Sequence, residues 1–191
     1  MNFFSIFFKA ALSDNIVFMS FLALCPFIGM STDEQKSAGM GLAVTFVTVL
    51  ATCVTWPVYH FILAPLGLKF LQTLAFILVI AALVQLVEFY LKKSAPGLYK
   101  AMGIYLALIT TNCAILYVTL NNISKDFNFA ESLVYALGVA LGFLLALLLL
   151  AGIRRRIRTS PIPAFLRGTP ILFVSASLLS VAFMGFSGLV K

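Results

Sequence analysis

Two cysteines in apolar surroundings carry the clearest chemistry of this sequence. Cys113 ends a run of four polar residues that begins at Thr110, inside the apolar segment LITTNCAIL. Cys25 stands directly before Pro26 in the segment FLALCPFIG. Four consecutive polar residues point around most of a helix circumference, and a proline removes a backbone donor. We therefore predict that the helix around each cysteine is locally broken or enclosed by protein.

The positions of these cysteines along the chain indicate a similar depth in a membrane. Cys113 follows Lys100 by 13 residues and Cys25 precedes Lys36 by 11, which is about 20 Å and about 16 Å of helix from the same face. Two thiols near the midplane are half of the four thiolates that an iron–sulfur cluster needs. Cysteine also packs as a small hydrophobe, and spacing leaves both interpretations open. For Cys53, which has only threonines nearby, packing is the expected role.

The elements that position these residues follow from composition, because 62% of the residues are hydrophobic and only 10% are charged. A soluble protein could not bury that much apolar surface. We predict an all-α integral membrane protein, with one membrane domain over residues 1–191 and six transmembrane helices. The expected helices coincide with the apolar runs 3–30, 38–63, 70–91, 98–120, 129–153 and 168–190.

The basic residues predict the orientation of these helices. Nine Lys and Arg residues lie in the first, third and fifth loops, and four lie on the other side. The positive-inside rule therefore predicts that the odd loops are cytoplasmic and that both termini face outward. The net charge of +7 is concentrated in these short loops, so we expect a lipid environment and no nucleic-acid partner. The arginines at 154–158 are interpreted in the same way, as a topology signal.

Six helices also divide into two triplets of opposite orientation. Because each triplet crosses the membrane an odd number of times, the second triplet has the opposite orientation to the first. This is the topology of an inverted repeat. We expect the repeats at about 1–91 and 98–190, with helices 1 and 4 broken near mid-membrane.

Five segments together resemble a known family along essentially the whole chain. They are FLALCPFIG, AGMGLAVTF, QTLAFILVIAALVQLVE, GIYLALITTNCAIL and AFMGFSGLV. The chain resembles the RnfA/NqrE family, and within it the RnfA branch of the Rnf electron-transport complex. The CPF after Leu24 is more similar to that branch than to the NqrE branch.

The resemblance implies a specific function. Rnf complexes are ion-translocating oxidoreductases of the bacterial or archaeal cytoplasmic (inner) membrane, and they couple electron transfer between ferredoxin and NAD to transport of Na+ or H+. A subunit of this type pairs with an RnfE-like homologue of opposite topology and works with the other Rnf subunits (B, C, D and G). The resemblance implies that Cys25 and Cys113 are metal and cofactor ligands, supplying half of an intramembrane [2Fe–2S] cluster shared with that homologue. The chain is then part of a translocase and is not catalytic alone.

Three alternatives remain at this point. The chain could be an NqrE-type subunit of a sodium-translocating NADH:quinone reductase. It could be a secondary transporter, in which inverted repeats and polar breaks at the midplane produce a similar pattern. It could also be a purely structural anchor subunit. Iron content separates an electron-relay subunit, of the Rnf or the NqrE type, from a transporter and from a structural anchor.

Overall fold

The computed structural model describes residues 3–13, 15–31, 34–64, 69–94, 108–109, 111–159 and 168–185, and all regular structure among them is helical. The α-helices are α1 Phe3–Phe8, α2 Ile16–Ser20, α3 Leu24–Met30, α4 Glu34–Val58, α5 Gln72–Ser94, α6 Cys113–Ser124, α7 Phe129–Arg158 and α8 Thr169–Met184. π-Helical turns at Lys9–Ser13 and Tyr59–Leu63 follow α1 and α4, and a 3-10 turn at Lys69–Leu71 precedes α5. The all-α prediction is confirmed for these residues.

Three of the described helices are long and apolar enough to cross a membrane. These spans are Ser37–Leu63, Gln72–Phe89 and Phe129–Ile157, which correspond to the second, third and fifth apolar runs. Cys113–Ser124 and Thr169–Met184 are apolar but shorter. The first run is divided among several short helices, and part of the fourth, at 98–107, lies outside the described residues. The count of six spans stays a prediction.

The helices α4 and α7 form the centre of the molecule and pack together more extensively than any other pair among the described residues. Val44 and Ala51 of α4 and Phe143 and Leu147 of α7 are almost completely buried. Gly41 permits close approach, because a Cβ atom there would overlap the side chain of Leu144. This pair of long helices is the scaffold against which the shorter helices pack.

Three buried threonines of α4 form hydrogen bonds within their own helix. The hydroxyl of Thr48 donates to the carbonyl of Val44 at 2.6 Å, and the hydroxyls of Thr52 and Thr55 donate four residues back in the same way at 2.9 and 2.7 Å. Such bonds let threonine sit in an apolar environment without another partner. These threonines are therefore structural.

The predicted loop that begins at Arg154 is corrected by the structure. Helix α7 continues past the apolar run, which ends at 153, and includes the arginines up to Arg158. Arginine is a good helix former, so the helix need not end where the apolar sequence ends. The cationic segment begins as helix rather than as loop.

Candidate functional site

The first apolar run is interrupted immediately before Cys25. Helix α2 ends at Ser20, the backbone at Phe21 and Ala23 has positive φ values of 51° and 61°, and α3 begins at Leu24. The N–H groups of Phe21 and Leu22 return to the carbonyl of Ile16, which closes α2. Left-handed backbone at residues other than glycine costs free energy and is maintained only by its surroundings.

The broken helix was predicted, but its cause was not. Pro26 lies in the first turn of α3, where the N–H that proline lacks has no intrahelical partner in any case. The interruption comes instead from the left-handed residues Phe21 and Ala23. Pro26 is compatible with the start of the helix that carries Cys25.

A second interruption precedes Cys113. Asn112 has extended backbone, with φ −72° and ψ 112°, and α6 begins at Cys113. The Asn112 Oδ1 atom accepts the backbone N–H of Ala114 at 3.0 Å, which caps the new helix. The predicted local unwinding of this segment is therefore present at Thr111 and Asn112. Thr110, which belongs to the same polar run, lies outside the described residues.

The two interruptions meet at one place. The backbone N–H of Ala23 donates to the Sγ atom of Cys113 at 2.9 Å. Since Cys25 follows Ala23 by only two residues, the segments that carry Cys25 and Cys113 are in contact, although the two cysteines are 88 residues apart in sequence. Hydrogen bonds from backbone amides to the sulfurs are one of the means by which proteins tune iron–sulfur clusters.

The exposure of the three cysteines differs. Cys25 is exposed on the surface of this chain, whereas Cys113 and Cys53 are partly buried. Among the described residues no group of three or more His, Cys, Asp or Glu side chains could hold a metal ion, so Cys53 does not complete a triad with the other two. The described residues therefore offer two cysteines on neighbouring segments, of which Cys25 is exposed and Cys113 is partly buried.

A buried asparagine holds the segment that leads to this site. Asn15 is the N-cap residue of α2, and its Oδ1 atom accepts the N–H of Val17 at 3.2 Å. Its Nδ2 atom donates to the carbonyls of Gly142 at 3.0 Å and Ala11 at 3.4 Å. At the other end of α2, the Ser180 hydroxyl of α8 donates to the carbonyl of Phe18 at 2.5 Å. Helices α7 and α8 thus fix both ends of α2.

A capping role for Asn15 was one of the expected possibilities and is confirmed, whereas the contacts of Asn15 with Gly142 and of Ser180 with Phe18 were not predicted. Asn15 and Asn112 lie 97 residues apart, have nearly the same backbone angles, and cap α2 and α6 in the same way. The same offset relates the first residues of α5 and α8, Gln72 and Thr169. The donor at Ala23 is a backbone group, and no residue type could have predicted it.

Comparisons with known proteins give a consistent result. The chain matches the family described as Rnf-Nqr subunit, membrane protein, over residues 3–190. It is 54% identical over 181 residues to the A subunit of the ion-translocating oxidoreductase complex of Syntrophotalea carbinolica, with 95% of this chain and 94% of that relative covered. It is 53% identical, with the same coverage, to the A subunit of the Na+-translocating ferredoxin:NAD+ oxidoreductase complex of Acetobacterium woodii. The A subunit of the ion-translocating oxidoreductase complex of Yersinia enterocolitica is 50% identical over 186 residues, which cover 97% and 96% of the two chains.

Proposed function

The chain belongs to the Rnf-Nqr family of membrane subunits, and on that basis we propose that it is the A-type subunit of an ion-translocating ferredoxin:NAD oxidoreductase complex. The relatives that carry this description match it along nearly their whole length, so the proposal concerns the entire chain and not one segment. The apolar helices fit a subunit that crosses the membrane more than once. The chain contributes to the oxidoreductase as part of an assembly.

We further propose that Cys25 and Cys113 supply two of the four ligands of a [2Fe–2S] cluster. The observation that carries this proposal is the hydrogen bond from the Ala23 N–H to the Cys113 sulfur, which brings the two cysteine segments together. The donor set fits the group, because thiolate sulfur is the ligand that iron–sulfur clusters prefer. When bound, such a cluster supplies one-electron transfer.

The remaining two ligands are proposed to come from a second chain. The described residues offer no third ligand beside Cys25 and Cys113, and the exposure of Cys25 leaves its sulfur accessible to a partner. An RnfE-like homologue of opposite topology meets this requirement, because two similar halves can each contribute two thiolates to one site. The other subunits of the complex, B, C, D and G, complete the route between ferredoxin and NAD.

The same proposal includes six spans, arranged as two inverted repeats in a bacterial or archaeal cytoplasmic membrane, with both termini outside. The 97-residue offset between the caps Asn15 and Asn112, and between the starts of α5 and α8 at Gln72 and Thr169, supports a repeat of this length. An offset of half the chain is what two three-helix repeats require. The excess of Lys and Arg in the odd loops supports the orientation.

Within the proposed site, other residues of this chain orient Cys25 and Cys113 and hold them in place. The backbone at Ala23 directs its N–H toward the Cys113 sulfur, and the Asn112 side chain fixes the first turn of the helix that begins with Cys113. Asn15 anchors α2 to α7, which sets the approach to Cys25. Ligands held on capped helix ends keep their geometry better than ligands on unsupported loops.

Iron analysis tests the proposed function. The complex purified with this chain is expected to contain iron, acid-labile sulfide and a visible-region absorbance that belong to the membrane subunits, whereas this chain purified alone is expected to hold no stable cluster. A complex without membrane-bound iron would instead favour a secondary transporter or a structural anchor. A complete cluster in the isolated chain would contradict the shared site.

A further inference from the structure

One arginine of the cationic segment turns into the protein. Arg154 is partly buried near the end of α7, and its Nη1 atom donates to the carbonyl of Ile28 at 3.1 Å and to the hydroxyl oxygen of Ser31 at 3.0 Å. Its neighbours Arg155 and Arg156 are exposed. The positive-inside rule depends only on the charge of a basic residue and not on its contacts. The specific hydrogen bonds of Arg154 therefore indicate a second role.

These contacts cap the short helix that carries Cys25. The last carbonyls of an α-helix have no intrahelical donors, and Ile28 is in the final turn of α3. The carbonyl of Ile28 accepts from Arg154 and also from the Ser31 hydroxyl, at 3.2 Å. A guanidinium at the C-terminal end of a helix is favourable both as a donor and as a positive charge.

Helix α3 depends on such contacts because it is only seven residues long. A helix of this length is marginal without tertiary support. Phe27 is buried and anchors one face, whereas Cys25 and Gly29 are exposed. Polar contacts hold the chain on both sides of Cys25: the N–H of Ala23 bonds to the Cys113 sulfur before it, and the contacts of Arg154 lie after it.

We propose that Arg154 is a positioning residue for Cys25. By holding the end of α3, Arg154 fixes the rotation and height of the helix, and it therefore fixes the direction in which the Cys25 sulfur is presented at the site. Ile28 follows Cys25 by one helical turn, so a loss of order at the end of α3 reaches the ligand directly. This inference rests on the proposed function only insofar as Cys25 is a ligand.

The test compares Arg154→Gln with Arg156→Gln in the purified complex. Both substitutions remove one positive charge from the same segment, so any effect on topology is matched. Three quantities are measured at equal subunit content. They are the electron paramagnetic resonance spectrum and midpoint potential of the reduced cluster, and the rate at which maleimide labels Cys25 after a chelator has removed the iron. Peptide mass spectrometry assigns the label to Cys25.

The expected result is a clear difference between the two variants. Arg154→Gln should raise the labelling rate of Cys25 at least about tenfold, because both charge-assisted hydrogen bonds of Arg154 are lost and one such bond already corresponds to about this factor. It should also change the cluster spectrum and shift the midpoint potential. Arg154→Lys should restore most of the native behaviour, because an ammonium can still donate to the end of α3. Arg156→Gln should match the unmodified complex.

Equal labelling rates and spectra in Arg154→Gln and Arg156→Gln would overturn the inference. If Arg154→Gln prevents assembly, Ser31→Ala tests the inference in its place, because it removes the hydroxyl that accepts from Arg154 and donates to the Ile28 carbonyl. It should raise the labelling rate about threefold, and an unchanged rate contradicts the proposal. A native complex without any cluster would refute the proposed function, but the labelling comparison would still show whether Arg154 holds α3.

Discussion

Replacing Gly142 by alanine probes the contact between α7 and the segment that leads to Cys25. A Cβ atom at this position would lie 2.7 Å from the carbonyl oxygen of Ala11 and 3.3 Å from the Nδ2 atom of Asn15. The first contact is with backbone, which cannot move away as a flexible side chain can. The substitution must therefore displace the π-helical turn at Lys9–Ser13 and weaken the bond from Asn15 to the Gly142 carbonyl.

Three contributions determine the change in the free energy of unfolding of Gly142→Ala. Overpacking of this kind costs about 1–3 kcal/mol, and the weakened hydrogen bond costs about 1 kcal/mol. The higher helix propensity of alanine stabilises the helix and offsets about 1 kcal/mol of this cost. The free energy of unfolding of Gly142→Ala is therefore expected to fall by about 1–3 kcal/mol.

Gly152→Ala is the matched control in the same helix. Gly152 is exposed, and beyond its own helical turn no atom of the described residues lies within 4 Å of the position that its Cβ would occupy. Only the propensity contribution applies there, so this variant should gain about 0.5–1 kcal/mol. The measurement is unfolding of the purified chain in detergent micelles by sodium dodecyl sulfate, followed by the fluorescence of Trp56. This is the single tryptophan of the chain, and it stacks on His60 at 4.5 Å. Equal stability gains in both variants would refute the described packing of α7.

Three further predictions concern topology and the helix ends. A reporter fused after Lys191 should be active only outside the cytoplasm and one inserted near Ser160 only inside, and the reverse pattern would contradict the orientation. Asn112→Asp should preserve the cap of α6, since the oxygen that accepts from Ala114 remains, whereas Asn112→Ala should lower the free energy of unfolding by about 1 kcal/mol in the same detergent assay. Ser180→Ala should cost about 1–3 kcal/mol there, because it leaves a buried carbonyl at the end of α2 without its donor.

The parts of this structure that sequence could predict are those that depend on solubility in lipid. Composition predicted helices, and the polar run that ends at Cys113 predicted an interruption, because consecutive polar groups cannot all avoid lipid on an unbroken helix. Proline was the available sequence signal near Cys25, but the break comes from left-handed backbone at Phe21 and Ala23, residue types with no special preference for it.

The contacts that sequence could not predict are those in which the backbone takes part. The N–H of Ala23 and the carbonyl of Ile28 carry the tertiary contacts beside Cys25, and every residue except proline has the same backbone groups. Arg154 was visible in the sequence only as a charge. Its contacts with α3 depend on the rotation of α7, which residue types in a strongly apolar helix do not specify.

The most direct test of the shared site is the cluster signal of three cysteine variants in the assembled complex. Serine has nearly the volume of cysteine but replaces a soft thiolate with a poorly ionised hydroxyl, so it separates ligation from packing. At matched subunit content, Cys25→Ser and Cys113→Ser should each lose the electron paramagnetic resonance signal of the reduced [2Fe–2S] cluster and the coupled electron transfer, and Cys53→Ser should retain both. Equal cluster occupancy in all three variants would show that these cysteines are packing residues and would contradict the proposed site.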